Sequence, residues 1–253
     1  MSGAARRGGR LGRALSGLAV GLGCVMFLGG FVLAAVLYQP YAVPTDSMSP
    51  LIAAGDRVLA ERVQGSEVRR GDVVVFEDEA WGDTLIVKRV VGVGGDTVSC
   101  CGEDGRLVVN GEPISEPYVA GGFGASLTRF EVTVPEGELF LLGDDRADSI
   151  DSRSMLTETS TGSVPREEVS ARVEAIVWPP SRARTLPTAD AFAGLPGGVS
   201  GSGPLVPLLY VTGIGAVLIL VGAAYGPVAR RLSRSDRHGV PTPPVAHNEG
   251  THG

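Results

Sequence analysis

Thr84-Leu85-Ile86-Val87-Lys88-Arg89-Val90-Val91 sets a lysine inside an apolar, β-branched run. Such a run favours an extended strand, and a solvated surface charge is out of place in it. Lys88 is also the only lysine in the chain; the other 21 of the 22 basic residues are arginines. An arginine-rich composition alone would leave lysines rare, so the count decides nothing without the surroundings. Arginine stays protonated at any usable pH, whereas a lysine buried among apolar side chains can lose its proton and serve as a base.

Outward from this strand, the chain reads as short strands divided by turns. Arg57–Val63 and Asp72–Phe76 precede it, with Arg70-Gly71-Asp72 as the turn, and Gly94-Gly95-Asp96 closes the strand Thr84–Val93. Leu107-Val108-Val109 and Pro113-Ile114 flank Asn110-Gly111, a strong hairpin signal because both turn positions need positive φ. Phe130–Val134, Glu138–Leu142 and Ala171–Val177 continue the pattern. Helical periodicity is weak. The expectation is a mostly-β domain of antiparallel strands, as a distorted barrel or a sandwich.

Two long apolar segments flank this domain. No charged residue occurs from Ala14 to Thr45 or from Ala191 to Ala229. Within these stretches 15–37 and 205–228 are each long enough to cross a hydrocarbon core, which takes about 20 residues. The first apolar run is too long for a cleavable signal peptide and lacks a small-x-small site. The second has no polar face. Arg6, Arg7, Arg10 and Arg13 precede the first segment, and Arg230, Arg231, Arg234 and Arg237 follow the second. Removing these eight leaves 14 basic residues between the segments, against 26 acidic ones. The expected layout is a basic cytoplasmic 1–14, a transmembrane helix 15–37, an extracytoplasmic β domain 38–193, a Gly/Pro/Ser linker 194–204, a transmembrane helix 205–228 and a disordered cytoplasmic tail 229–253. Both termini are then cytoplasmic by the positive-inside tendency, and the protein is a two-pass resident of the cytoplasmic membrane. The acidic middle argues against nucleic acid as a partner, and no Cys or His spacing matches a metal site. The adjacent Cys100 and Cys101 are expected to stay reduced or to pair elsewhere, since a vicinal disulfide closes a strained ring.

All three histidines, His238, His247 and His252, lie beyond the second apolar segment. On this layout a Ser-His-Asp triad cannot form in the β domain. Ser47, nine or so residues past the first segment, would then need another base, and the single lysine is the candidate.

Pro44-Thr45-Asp46-Ser47-Met48-Ser49-Pro50-Leu51, Gly55-Asp56, Gly71-Asp72-Val73-Val74, Lys88-Arg89-Val90-Val91-Gly92 with Gly95-Asp96, and Gly143-Asp144-Asp145-Arg146-Ala147-Asp148-Ser149-Ile150-Asp151-Ser152-Arg153 resemble, in order, the blocks of bacterial type I signal peptidases. The resemblance implies a signal-peptidase and LexA-like antiparallel β-sheet fold. It implies a serine endopeptidase that removes signal peptides from exported preproteins after Ala-x-Ala sites, with Ser47 as nucleophile and Lys88 as general base. Thr45 and the Ser47 N–H would form the oxyanion hole. Ser149 would orient the lysine, and Asp151 with Arg153 would brace the site as an ion pair. Met48, Ile86 and Val87 would line small substrate pockets. The implied partners are preproteins and the lipid bilayer, with no metal and no organic cofactor. Asp145 stands where the family has asparagine, and Gly94 where it has proline. Two rival readings are a LexA-like self-cleaving peptidase, which would carry no membrane spans, and an inactive membrane-tethered binding module, which would have no use for a retained base.

Overall fold

A computed structural model describes residues 4–82, 84–119 and 124–235, which fall into two units. One unit holds two long helices, α1 (Ala4–Leu37) and α2 (Leu205–Ser235). Within them Gly12–Leu37 and Leu205–Tyr225 are long and apolar enough to cross a membrane. Both helices outrun the apolar segments. Helix α1 starts at Ala4, inside the segment read as a basic terminus, and α2 reaches Ser235, past the expected start of the tail at 229. Ala-Arg-Arg sequences at both places are good helix formers and carry the ladder onward. The rest of that tail, 236–253 with its histidines, lies outside the described residues.

The two helices run antiparallel and meet along glycine and hydroxyl residues. A Cβ on Gly23 would stand 2.7 Å from the Gly215 carbonyl oxygen, and one on Gly215 would stand 2.5 Å from the Phe27 nitrogen. The Ser16 hydroxyl donates to the Gly222 carbonyl at 2.7 Å. With no hydrophobic force between helices in lipid, close backbone approach and such bonds are what hold a pair together.

The other unit, Ala34–Leu205, is built of antiparallel strands: β1 (Tyr38–Ala42), β2 (Arg57–Arg62), β3 (Val73–Phe76), β4 (Ile86–Val93), β5 (Thr97–Cys100), β6 (Leu107–Val109), β7 (Glu112–Ile114), β8 (Phe130–Thr133), β9 (Glu138–Leu142), β10 (Val164–Pro165), β11 (Val169–Trp178) and β12 (Arg184–Thr185). The larger sheet runs β1-β2-β11-β3-β4-β9-β10, with β12 paired to β11. The smaller runs β7-β6-β5-β8. The Asn110-Gly111 turn has φ of 54° and 84°, which is the left-handed pair that this hairpin demands.

Strand β3 explains the apolar run of the larger sheet. All four of its residues are buried: Val73 and Val75 enter one core with Met48 and Ile52, while Val74 and Phe76 enter another with Leu139 and Leu141. With both faces covered, a strand loses the alternation of polar and apolar residues. A third core joins the small sheet to Phe140, Leu142 and Phe192. Antiparallel pairing sets Val74 opposite Lys88 and Val73 opposite Arg89, which brings both basic residues into the protein interior.

Two expectations need correction. Cys100 and Cys101 form a vicinal disulfide at the end of β5, in place of a reduced or remotely paired state; adjacency in the chain keeps the two sulfurs within bonding reach. The segment 194–204, read as a flexible linker, is tied to the turn before β3. The Arg70 Nη1 donates to the Pro196 carbonyl at 2.6 Å, Arg69 donates to that of Gly197, and the Ser200 hydroxyl donates to Asp72 at 2.7 Å.

Candidate active site

Ser47 sits in a tight turn after β1, and the turn is closed from several sides. The Ser49 N–H donates to the Asp46 carbonyl at 2.8 Å, and the Ala54 N–H donates to the Asp46 carboxylate at 2.9 Å. Met48 and Ile52, both fully buried, root the turn in the core. From behind, buried Asp56 accepts from Arg182 at 2.9 Å, and Arg184 donates to the Leu51 carbonyl at 2.9 Å. The turn is therefore held against β12 and the segment that leads into it, as well as by its own bonds.

Strand β4 delivers Lys88 to this turn. Its Nζ donates to the Ser47 Oγ at 2.5 Å, and the side chain has only 3% of its surface exposed. Burial pushes the Lys88 ammonium down to about 8, against the opposing pull of the Asp151 and Asp144 carboxylates, with Arg153 adding to the fall. The result is a lysine that is partly neutral near neutral pH, hydrogen-bonded to a hydroxyl whose proton it can take.

The Thr45 hydroxyl lies 3.2 Å from the Ser47 Oγ. The Ser47 N–H meets no acceptor among the described residues. The Ser47 carbonyl, in contrast, accepts from the Asp145 N–H at 3.1 Å, which fastens the Gly143–Arg153 loop to the serine turn. This is the role of the residue that stands in place of the family's asparagine, and its carboxylate caps the N–H groups of Ala147 and Asp148 within the same loop. Gly94 lies beside the Pro135–Gly137 turn, where a Cβ would stand 3.0 Å from the Glu136 Cα and the Gly137 nitrogen, away from the serine and lysine.

Asp151 and Arg153 form a two-pronged pair, with Nε to Oδ1 at 2.8 Å and Nη2 to Oδ2 at 2.6 Å. Asp151 is fully buried and also accepts from the Gly143 N–H at 3.1 Å. Ser149 differs from expectation: its buried hydroxyl oxygen has no hydrogen-bond partner, so the structure holds no bond from it to Lys88. It lies instead against Gly143, where a Cβ would collide with the Ser149 Oγ and stand 2.5 Å from the Ser47 carbonyl oxygen. Packing at this glycine, rather than a hydrogen bond, is what Ser149 contributes here.

A cleft of about 450 Å³ opens at the serine. Val43 to Met48 line it on one side and Thr84 to Lys88 on the other, with Trp81, Asp148 and Ile150 at its border. Met48, Ile86 and Val87 are among its walls. Trp81, Leu85 and Ile150 were not foreseen. Leu85 and Ile150 are 49% and 72% exposed and put apolar surface at the cleft; this exposure is invisible in the sequence.

Sequence reasoning also passed over Arg89. Its guanidinium donates to both oxygens of Asp144 at 2.7 Å and to the Gly71 carbonyl at 2.8 Å, and it lies 3.8 Å over the Tyr118 ring. Arg146 is likewise buried against Glu116, at 2.6 and 2.8 Å. Two of the four aspartates in the Gly143–Arg153 loop are thereby paired: Asp144 with Arg89 and Asp151 with Arg153.

Residues 16–178 match the model of the family described as signal peptidase, peptidase S26. The chain is 30% identical to a probable signal peptidase I of Mycobacterium leprae, over 60% of this chain and 72% of that protein. It is 34% identical to a signal peptidase I of Bacillus licheniformis, over 57% of this chain and 79% of the relative. A solved signal peptidase I of Enterococcus faecalis is 29% identical over 41% of this chain and 94% of that one, with a TM-score of 0.34.

Proposed function

The chain belongs to the signal peptidase family, peptidase S26, and from that premise we propose that it is a membrane-bound serine endopeptidase that cuts signal peptides from preproteins after Ala-x-Ala-type sites. The observation that carries this reading is the 2.5 Å contact between the Lys88 Nζ and the Ser47 Oγ in a buried setting. Neutral Lys88 takes the Ser47 proton as the Oγ attacks the scissile carbonyl. The developing oxyanion is met by the Thr45 hydroxyl and the free Ser47 N–H; loss of one such donor costs ~10²–10³ in rate. The lysine then gives its proton to the leaving amine. Lys88, neutral again, takes a proton from water as the water attacks the acyl carbon, and returns it to the Ser47 Oγ as the acyl bond breaks.

Asp151 and Arg153 act on this chemistry through position and charge. The substrate lies extended in the cleft between the segments around Ser47 and Lys88, where backbone bonds give affinity and small pockets near Met48, Ile86 and Val87 select alanine. The two apolar helices anchor the enzyme, with the arginines beyond each on the cytoplasmic side and the β unit outside. Ser47 follows the first span by ten residues, so even an extended chain keeps it within roughly 35 Å of the bilayer. A precursor whose apolar part remains in the membrane suits that reach.

The test is cleavage of an Ala-x-Ala preprotein by the full-length protein beside Ser47→Ala and Lys88→Ala. Cutting after the second alanine by wild type, with both variants at background, supports the dyad. Activity retained in Lys88→Ala would show another base at work. A folded wild-type protein that binds the preprotein without cutting it would move the chain to the class of tethered binding modules.

A further inference from the structure

A second cavity, of about 370 Å³, lies away from the serine and is lined by three arginines and no carboxylate. In a β unit whose acidic residues far outnumber its basic ones, such a lining is not a matter of composition. Arg70 is committed: its Nε donates to Asp96 at 2.6 Å, its Nη2 donates to the other oxygen of the same carboxylate, and its Nη1 donates to the Pro196 carbonyl. The other two are not. Arg166 uses only its Nη1, toward the Gly65 and Val68 carbonyls at 2.8 and 3.0 Å. Arg69 uses only one side-chain nitrogen, toward the Gly197 carbonyl. The Nε and Nη2 of both meet no acceptor among the described residues.

The wall is a built one. Gly65 lies so close to the Arg166 backbone that a Cβ would collide with its carbonyl. Gly197 and Gly198, with φ of 90° and 61°, complete the rim in a conformation that glycine adopts without cost. Burial, and then the charge of Arg70, push the Arg166 guanidinium below its usual value, with Glu136 and Asp96 opposing. Asp96 is already occupied by Arg70, by the Val93 N–H and by Asn110, each a partner that ties its oxygens. Asp72 accepts from the Arg69 N–H and from Ser200. An anion between Arg69 and Arg166 would use their idle donors together.

We propose that this cavity binds a phosphate-bearing anion, with the phosphoryl oxygens held by the forked donors of Arg69 and Arg166. Planar guanidinium forks match phosphate oxygens two at a time. A cavity of this size exceeds a bare phosphate ion and leaves room for the organic part of an ester. The same chemistry is offered by a phospholipid headgroup and by a soluble phosphate.

The experiment is calorimetric titration of the full-length protein, in zwitterionic detergent at low salt, with inorganic phosphate and separately with water-soluble dihexanoyl phosphatidylglycerol. Wild type is expected to bind one or both saturably. Arg69→Gln and Arg166→Gln weaken that binding about tenfold each, the scale of one charge-assisted contact, while Arg129→Gln, at an exposed site outside the cavity, leaves it within about twofold. Binding of the phosphatidylglycerol with none of phosphate assigns the site to a headgroup, and the reverse assigns it to a soluble ligand. Should Arg166→Gln not fold, Arg69→Gln decides, since that exposed side chain makes a single backbone contact. Absence of saturable binding of both ligands by wild type, or equal affinity in Arg69→Gln and wild type, overturns the proposal.

Discussion

Arg89 and Asp144, 55 residues apart in the chain, face each other with two parallel bonds of 2.7 Å, and neither side chain exceeds 3% exposure. Arg89 follows Lys88 on β4, and Asp144 opens the loop that touches Ser47, so the pair locks the two halves of the candidate site to one another. Removing one partner leaves a buried charge alone. Asp144→Leu or Arg89→Met is expected to lower unfolding stability by about 3–5 kcal/mol. The double replacement Arg89→Met with Asp144→Leu is expected to recover most of that loss. Urea unfolding of the four proteins checks it: additive losses in the double variant would show that the pair is not coupled.

The pH dependence of kcat/KM follows from the lysine. Only neutral Lys88 can accept the serine proton, and its ammonium is held down to about 8. Activity should therefore rise with pH up to about 8 and level off above it, falling about tenfold for each unit below. Asp151 is the largest of the charges that raise this value, so Asp151→Asn should shift the rising limb to lower pH. A limb that stays in place in that variant would remove Asp151 from the electrostatics of the site.

The same lysine costs stability. Its folded value of about 8 lies below the unfolded value near 10.4. Between these two pH values the unfolded chain binds more protons, and stability rises with pH; below about 8 the full penalty is present. Lys88→Met is expected to be more stable than wild type at pH 7 by up to about 3 kcal/mol, with the gap closing as pH approaches 10. Chemical denaturation at pH 7 and 9.5 reads this directly. A variant less stable than wild type at both would show that Lys88 contributes more through its bond to Ser47 than its burial takes away.

Gly143 tests the packing around Ser149. A Cβ there would press on both the Ser149 hydroxyl and the Ser47 carbonyl. Gly143→Ala is expected to cut kcat by about 10²-fold, the scale of a misplacement of an ångström. Pairing it with Ser149→Gly, which removes both the Oγ and the Cβ that the new methyl would meet on that side, should recover part of that loss. Rates unchanged in Gly143→Ala would mean that the loop yields without moving the serine.

Much of this architecture was readable from local pattern. Glu138–Leu142 is a strand with the ends expected of it, and the Asn110-Gly111 turn has the positive φ values that its residues favour. Lys88 stands out in the sequence because a lone cation in a β-branched run is costly to bury unless its proton is put to use. What escaped was set by partners far along the chain. Tyr38–Ala42 carries a proline and follows an apolar helix, so nothing local marks it as a strand; pairing with Arg57–Arg62 makes it one. Arg89 finds Asp144, and Arg146 finds Glu116, only after sheet register is fixed. The Ser149 hydroxyl shows the opposite failure: the resemblance supplied a bond, and the local packing against Gly143 does not provide it.

The seam between α1 and α2 has a bearing on damage. Because an apolar helix stands at each end of the β unit, one backbone cut between them leaves no fragment without a helix of its own. The Ser16–Gly222 bond and the glycine contacts join those helices independently of the chain that connects them. A nicked molecule should thus remain a two-piece particle rather than shed its C-terminal half, and halves expressed from separate messages should reassemble. Copurification of the two halves in detergent, lost when Gly23 and Gly215 are both replaced by leucine, would establish it.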